Sequence, residues 1–222
     1  MPKVKMPRKS TFVDMTAMTD VAFLLLSFFI LTTKFKSPEV IEVETPSSVS
    51  TKAIEAKNVV LITIGSDGKV YFNVSEENTG EKERIIDFVN EQKQLNLSDA
   101  QKAAFKRAGG IIGVPFTQLG SYLNLSAEQV SSFKEFPGIP VDSTNNELTM
   151  WVRGAVEAFK GQTMNLMVKG DNKAKYPSFQ GVIKALKEND QLKFQLITSP
   201  EGVPEGTDLW RSNMAGVKNE EQ

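Results

Sequence analysis

The 222-residue sequence contains neither cysteine nor histidine. Their absence excludes disulfide frameworks, thiol redox motifs, Ser-His-Asp triads and ordinary zinc sites. The sequence also lacks an excess of positive charge, because 26 Lys and Arg residues face 27 Asp and Glu residues, for a net charge of −1. Without that excess, binding to the phosphate backbone of nucleic acids is not expected as a main role. The length allows one or two small domains with a sizeable core.

Motifs for phosphate, calcium or nucleophilic catalysis are also missing. The glycine pair Gly109-Gly110 is not followed by the G-K-[ST] of a phosphate loop. Several carboxylates have no calcium-loop spacing or other recognised motif around them: Glu76, Glu77, Glu81, Asp142 and Glu147. We therefore expect no enzyme activity, no cofactor and no metal site.

One long apolar run is present near the N-terminus. The 19 residues between Asp14 and Lys34 carry a single charge, at Asp20. An α-helix of that length spans about 28 Å, close to the roughly 30 Å thickness of the hydrocarbon core of a bilayer. A cleaved signal peptide is the alternative, but no small-x-small cleavage site follows the run. The sequence therefore predicts an uncleaved transmembrane helix over residues 14–34.

The charges beside this run predict its orientation. Four basic residues precede it, and three acidic residues soon follow it: Lys3, Lys5, Arg8, Lys9, Glu39, Glu42 and Glu44. The flank richer in Lys and Arg stays in the cytoplasm. We therefore expect a cytoplasmic tail over residues 1–13 and a single-pass inner-membrane protein whose C-terminal part is periplasmic.

Asp20 is the residue of the run that most requires a function. A charged side chain inside a span costs about 2.5–3.5 kcal/mol, so it normally faces protein or water and marks an ion or proton path. Thr16 lies one helical turn before it and Ser27 two turns after it, so the three predict a narrow polar stripe. In the alternative interpretation, Asp20 lies near the cytoplasmic interface and is simply solvated.

The stretch FVDMTAMTDVAFLLL, residues 12–26, resembles the membrane signature of the ExbD/TolR biopolymer-transport family. In that family an Asx-x-Thr-Pro-x-x-Asp pattern opens one Leu-rich helix, and its last Asp carries protons. The resemblance assigns that role to Asp20, with Asp14 at the Asx position and Thr16 at the Thr position. Ala17 stands where the family usually has Pro, a departure that leaves Asp20 in register.

The resemblance also implies partners and a function. It implies a proton-driven motor subunit that couples the proton-motive force to energy transduction toward the outer membrane. Its helix is then expected inside an ExbB-like channel subunit, as one of a homodimeric pair, and its exterior domain is expected to act on a TonB-like transducer. A TolR-type role in cell-envelope integrity remains an alternative. A second alternative is a membrane-anchored periplasmic scaffold without ion chemistry.

Residues 35–57 mix Pro, Ser and Thr with charge and predict a periplasmic linker. Within it, Val40, Ile41 and Val43 alternate imperfectly with acidic residues, which is compatible with a strand that forms when it finds an edge. An extended, solvated tether is the alternative. The family has a short functional motif ending in Pro at this place, and Pro46 occupies it, so these four residues are candidate partner contacts.

A folded periplasmic domain is expected over residues 58–200. Strands at residues 59–64 and 69–74 enclose a Ser-Asp-Gly turn and predict a hairpin. A strand over 164–169, an amphipathic helix over 176–189 and a strand over 194–198 predict a parallel pair with a right-handed crossover. The fold class is thus one transmembrane helix plus an α/β (α+β) sandwich with helices on one face of a small sheet.

A helical insertion of about residues 93–146 is expected to enlarge this domain. The helices predicted within and beside it cover 81–92, 99–108, 127–135 and 147–159, with Ser98 and Ser126 as N-caps. Asp171, in a turn with three lysines, is interpreted as part of a solvated charged loop. Residues 201–222 are expected to form a loose tail.

Overall fold

The computed structural model of the protein describes residues 15–32, 43–48, 57–107, 111–126, 129–130, 136–201, 206–207 and 211. The chain divides into two units, Met1–Pro38 and Glu39–Gln222. The predicted tail over residues 1–13 lies outside the described residues. So does the predicted tail over residues 201–222, apart from 201, 206–207 and 211.

The N-terminal unit contains helix α1, Met15–Thr32. Its length and apolar composition are sufficient for one membrane crossing. None of its residues is buried, and large side chains such as Phe23 and Leu31 are 71% and 85% exposed. The predicted segment of residues 14–34 therefore contains a helix whose apolar surface is uncovered.

The C-terminal unit is built on a four-stranded mixed sheet. Its strands are β2 (Val59–Ile64), β3 (Val70–Val74), β4 (Asn165–Gly170) and β5 (Gln195–Ile197), in the order β3-β2-β4-β5. β2 pairs with β3 antiparallel and with β4 parallel, and β4 pairs with β5 parallel. The predicted hairpin and the predicted parallel pair are therefore confirmed. Strand β1 (Ser47–Ser48) pairs separately with β6 (Ser199–Pro200).

Five helices of this unit have described bounds: α2 (Thr79–Lys93), α3 (Asp99–Arg107), α4 (Phe116–Leu123), α5 (Leu148–Ala158) and α6 (Tyr176–Glu188). Ser98 Oγ accepts from the Gln101 N–H while Gln101 Oε1 accepts from the Ser98 N–H, which forms a capping box at α3. Ser126 and Gln129 make the same pair of bonds. The body of the helix predicted over 127–135 lies outside the described residues, apart from 129–130.

The core lies between one face of the sheet and the helices. Val60, Ile62, Phe72 and Val168 are fully buried on that face. Trp151 of α5 is also fully buried, and its ring centroid lies 5.6 Å from that of Phe72. The same tryptophan packs against aromatic rings of α3 and α4: Phe105 and Phe116. The predicted insertion therefore shares the core of the domain.

The insertion also covers the outer edge of β3. Phe72 and Ile112 exchange two backbone hydrogen bonds, of 2.8 and 2.7 Å, and the Ile139 N–H donates to Val70 O. Next to this edge, Gly113 leaves room for the Tyr71 ring, because a Cβ on Gly113 would lie 2.4 Å from a ring carbon. Tyr71 is only 7% exposed, although it points away from the helical face. The expectation that cover lies on one face of the sheet is thus incomplete, because the insertion reaches around the edge.

Candidate functional site

The polar stripe predicted around Asp20 lies on helix α1. Asp20 is exposed and is the only ionisable residue in Met15–Thr32. Helical geometry puts Thr16 one turn before it and Ser27 two turns after it, on the same side. Asp14, which the family resemblance places at the Asx position of the signature, lies outside the described residues.

Hydroxyl groups of α1 are satisfied by the helix itself. Thr19 Oγ1 donates to Thr16 O at 2.8 Å, Ser27 Oγ to Leu24 O at 2.9 Å, and Thr32 Oγ1 to Phe28 O at 2.7 Å. A hydroxyl bonded in this way costs little free energy in an apolar medium, whereas a carboxylate without a cation remains costly. Asp20 is therefore the chemically distinctive group of the helix, and the chemistry open to it is proton or cation exchange.

The described part of the linker is hydrogen-bonded to the folded domain. The Glu44 N–H donates to Asp171 Oδ2 at 3.0 Å, and Glu44 O accepts from the Asn172 N–H at 2.8 Å. Two residues on, Pro46 O accepts from the Ser199 N–H at 2.9 Å. Ser48 O then accepts from the Glu201 N–H at 3.0 Å. We call residues 43–48 the docked linker.

Asp171 is the polar anchor of the docked linker. It is 9% exposed, and its second carboxylate oxygen, Oδ1, accepts from the Lys173 N–H at 2.8 Å. Its own N–H donates to Ile64 O, which ties the turn to the end of β2. The prediction of a solvated loop is wrong for Asp171, because two backbone N–H groups compensate the burial of its carboxylate. Lys173, at 73% side-chain exposure, does remain in solvent.

The linker strand predicted around Val40–Glu44 lies largely outside the described residues. Val40 and Ile41 lie outside the described residues, Val43 is half-buried, and Pro46 is exposed. Within the described part of the linker, strand pairing occurs at Ser47–Ser48, and the Glu44 N–H is bound to the Asp171 side chain. Sequence reasoning missed Asp171 and Ser199 as linker contacts, since both lie more than a hundred residues away in the chain.

Carboxylates of the folded domain have structural roles. Glu147 Oε2 accepts from the Phe116 N–H at 2.7 Å and so caps α4. Glu81 accepts from Asn78, Arg84 and Gln162. Among the described residues, no group of three or more acidic side chains has the arrangement of a metal site. Of the sites predicted from the sequence, Asp20 and the linker therefore remain the candidates for function.

Comparison with known proteins gives one curated relative and one family. No solved structure matches the chain. The biopolymer transport protein ExbD of Aquifex aeolicus (strain VF5) is 28% identical over 86 residues, which are 39% of this chain and 65% of that protein. The chain thus spans about two thirds of the length of this relative. The match of the family model is much longer.

The model described as "Biopolymer transport protein ExbD/TolR" matches residues 7–201, which include α1, the docked linker and the whole described sheet. The resemblance of residues 12–26 is therefore confirmed at the level of the family. The apolar N-terminal helix and the mixed α/β domain also agree with that fold. Because the match covers most of its length, the chain belongs to the ExbD/TolR family of biopolymer transport proteins.

Proposed function

We propose that this chain is a subunit of an inner-membrane, proton-driven motor in which Asp20 is the protonated and deprotonated group. Support comes from one observation above all: Asp20 is the sole ionisable residue of an apolar helix that carries the family signature. In this proposal α1 spans the membrane with its N-terminus in the cytoplasm, and residues 35–57 and 58–200 are the periplasmic linker and domain. Thr16 and Ser27 support Asp20 on its side of the helix, and Asp14 begins the helix.

A single helix cannot enclose a proton path, so the proposal requires partner helices. An ExbB-like channel subunit surrounds α1, which is one of a pair of copies. Protonation removes the charge of Asp20 and so changes how strongly its side of α1 prefers a polar wall to an apolar one. The linker, with Val40, Ile41, Val43 and Pro46 as contacts, then passes the change to the periplasmic domain and a TonB-like transducer.

Replacing Asp20 by asparagine tests the proposal. Asp20→Asn keeps the shape and hydrogen-bonding capacity of the side chain but cannot exchange a proton, and it removes the cost of burying a charge. We expect energy-dependent uptake across the outer membrane to be lost while the immunoblot level of the protein is unchanged. Asp20→Glu keeps the titratable group but displaces it by about one methylene, and we expect it to retain at most partial activity.

Two hydroxyl variants serve as controls for this experiment. Thr16→Ala removes at most a supporting hydrogen bond, worth about 0.5–1.5 kcal/mol, and should reduce activity less. Thr32→Ala removes a hydroxyl that bonds only within the helix, to Phe28 and Phe29, and should leave activity unchanged. Full activity of Asp20→Asn at normal expression would contradict the proton-carrier role and favour a membrane-anchored scaffold.

A further inference from the structure

A groove lies where the loop that ends the insertion meets helix α6. It consists of two adjoining cavities of about 420 and 260 Å³, which share Ser143 and Lys184 in their walls. One cavity extends along α6 toward Pro177, and the other extends to Arg153 of α5. Together they form one open groove between elements that are distant in sequence.

The walls of the groove are held together by direct contacts. At Gly181, a Cβ atom would lie 2.2 Å from Val141 O, so only glycine allows the loop to come this close to α6. Asn146 Nδ2 donates to Gly181 O at 2.8 Å, and Lys184 Nζ donates to Ser143 O at 3.1 Å. The groove therefore exists because the insertion docks on α6.

Charge in the groove favours an anionic ligand. Three helices contribute four cations to the walls: Lys93, Arg153, Lys184 and Lys187. The walls hold two carboxylates, and one of them, Glu188, accepts from Thr149 Oγ1 at 3.0 Å and lies 4.0 Å from Lys184. The other is Asp142. Four positive against two negative groups attract acidic chains and fix their position.

The uncharged part of the lining favours a peptide. The described residues that line the two cavities include no Trp, Tyr or Phe, the flat side chains against which sugar rings stack. Val141, Ile183 and Met150 provide aliphatic surface instead. We propose that the groove binds an acidic, extended peptide segment of a partner protein.

This docking site is additional to the motor role proposed for α1 and does not depend on Asp20. It is tested with the full-length chain in detergent micelles and a fluorescein-labelled peptide in which glutamate alternates with valine. We expect saturable binding by fluorescence anisotropy, weakened by added salt because salt screens exposed charges. The peptide with lysine in place of glutamate should not bind.

Two charge reversals on the groove walls locate the site. Arg153 and Lys187 are exposed, so their replacement should leave the fold intact, as circular dichroism can check. We expect Arg153→Glu and Lys187→Glu each to raise the Kd for the acidic peptide about tenfold. Lys193→Glu makes the same change of charge at an exposed position outside the groove and should have little effect.

Three results would overturn the proposal. The first is the absence of saturable binding of the acidic peptide. The second is an equal loss of affinity in Lys193→Glu, which would mean that the chain attracts anions through its overall charge. The third is tight binding of a carboxylated oligosaccharide such as tetragalacturonate in the absence of peptide binding, which would assign the groove to an acidic glycan.

Discussion

Lys82 is an ionisable residue that the fold buries without an ion pair to any described residue. It is 1% exposed and lies on the inner side of α2 with Ile85, Ile86 and Val89. Burial lowers the pKa of its ammonium group below the ordinary value of 10.5, and the charge of Glu76 partly opposes this shift. The unfolded chain therefore binds this proton more tightly than the folded chain does. The charged form destabilises the fold below the folded pKa, and this cost is removed as pH rises toward 10.5.

Replacing Lys82 by methionine should therefore stabilise the domain at neutral pH. Methionine fills a similar volume without a charge, so we expect Lys82→Met to raise the free energy of unfolding by about 1 kcal/mol. The stabilisation by Lys82→Met should shrink as pH approaches 10.5, because Lys82 of the unsubstituted protein then loses its charge and the cost of burying that charge disappears. Urea unfolding of the full chain in detergent, followed by tryptophan fluorescence across this pH range, measures both effects. Lys193→Met, at an exposed position, is the control, and a destabilising Lys82→Met would contradict this account.

At the scale of elements, the docked linker is hydrogen-bonded to two parts of the folded domain. It meets the turn after β4 through Asp171 and Asn172, and it meets the chain after β5 through Ser199 and Glu201. Thr45 and Ser199 add a hydroxyl–hydroxyl hydrogen bond of 2.6 Å. Few apolar contacts accompany these bonds, because β1 has only two residues and is not fully buried. Such a segment can open locally at lower free energy than the central strands.

Removing one oxygen of the Asp171 carboxylate should release the docked linker. In Asp171→Asn an N–H donor replaces one acceptor, so either the Glu44 N–H or the Lys173 N–H loses its partner. A hydrogen bond to a charged group contributes about 1.5–3 kcal/mol, so amide hydrogen exchange at Glu44–Ser48 should become about tenfold faster or more.

Exchange in β2 and β4 should change little, since their ladder remains. Asp190→Asn is the matched control, because Asp190 is exposed and its φ of 56° suits asparagine. Unchanged exchange in the docked linker of Asp171→Asn would show that Asp171 is not its anchor.

The whole molecule combines an apolar helix with a folded domain that carries its own core. No residue of α1 is buried, and its large apolar side chains are exposed. An exposed apolar helix of 18 residues is unfavourable in water. Each large apolar side chain that stays fully exposed lacks the burial free energy of about 1.5–3 kcal/mol. A bilayer or the helices of partner subunits would cover it, in agreement with the function proposed above.

The orientation of the chain can be measured with a C-terminal reporter. We expect alkaline phosphatase fused after Gln222 to be active, because that enzyme acquires activity in the periplasm. The proposed orientation, predicted from the four basic residues of the N-terminal flank, places the C-terminus there. A β-galactosidase fusion at the same position should be inactive. The reverse pattern would contradict the proposed orientation.

Local patterns were sufficient to predict most elements of the folded domain. The hairpin of β2 and β3, the strand β4 and the helix α6 depend on alternation, turn residues and helical spacing within short stretches. The capping boxes at Ser98 and Ser126 are equally local. These predictions agree with the structure because neighbouring residues alone determine such features.

The sequence by itself determined the apolar helix, the place of Asp20 within it and the resemblance that the family match confirms. Tertiary structure alone decided the features made by residues far apart in the chain. It buried Asp171 under the Glu44 backbone, 127 residues away, and it brought Ile112 to the edge of β3. It also placed the insertion loop on Gly181 to form the groove. Period and composition describe which face of an element is apolar, but they contain no information about which distant backbone group meets that face.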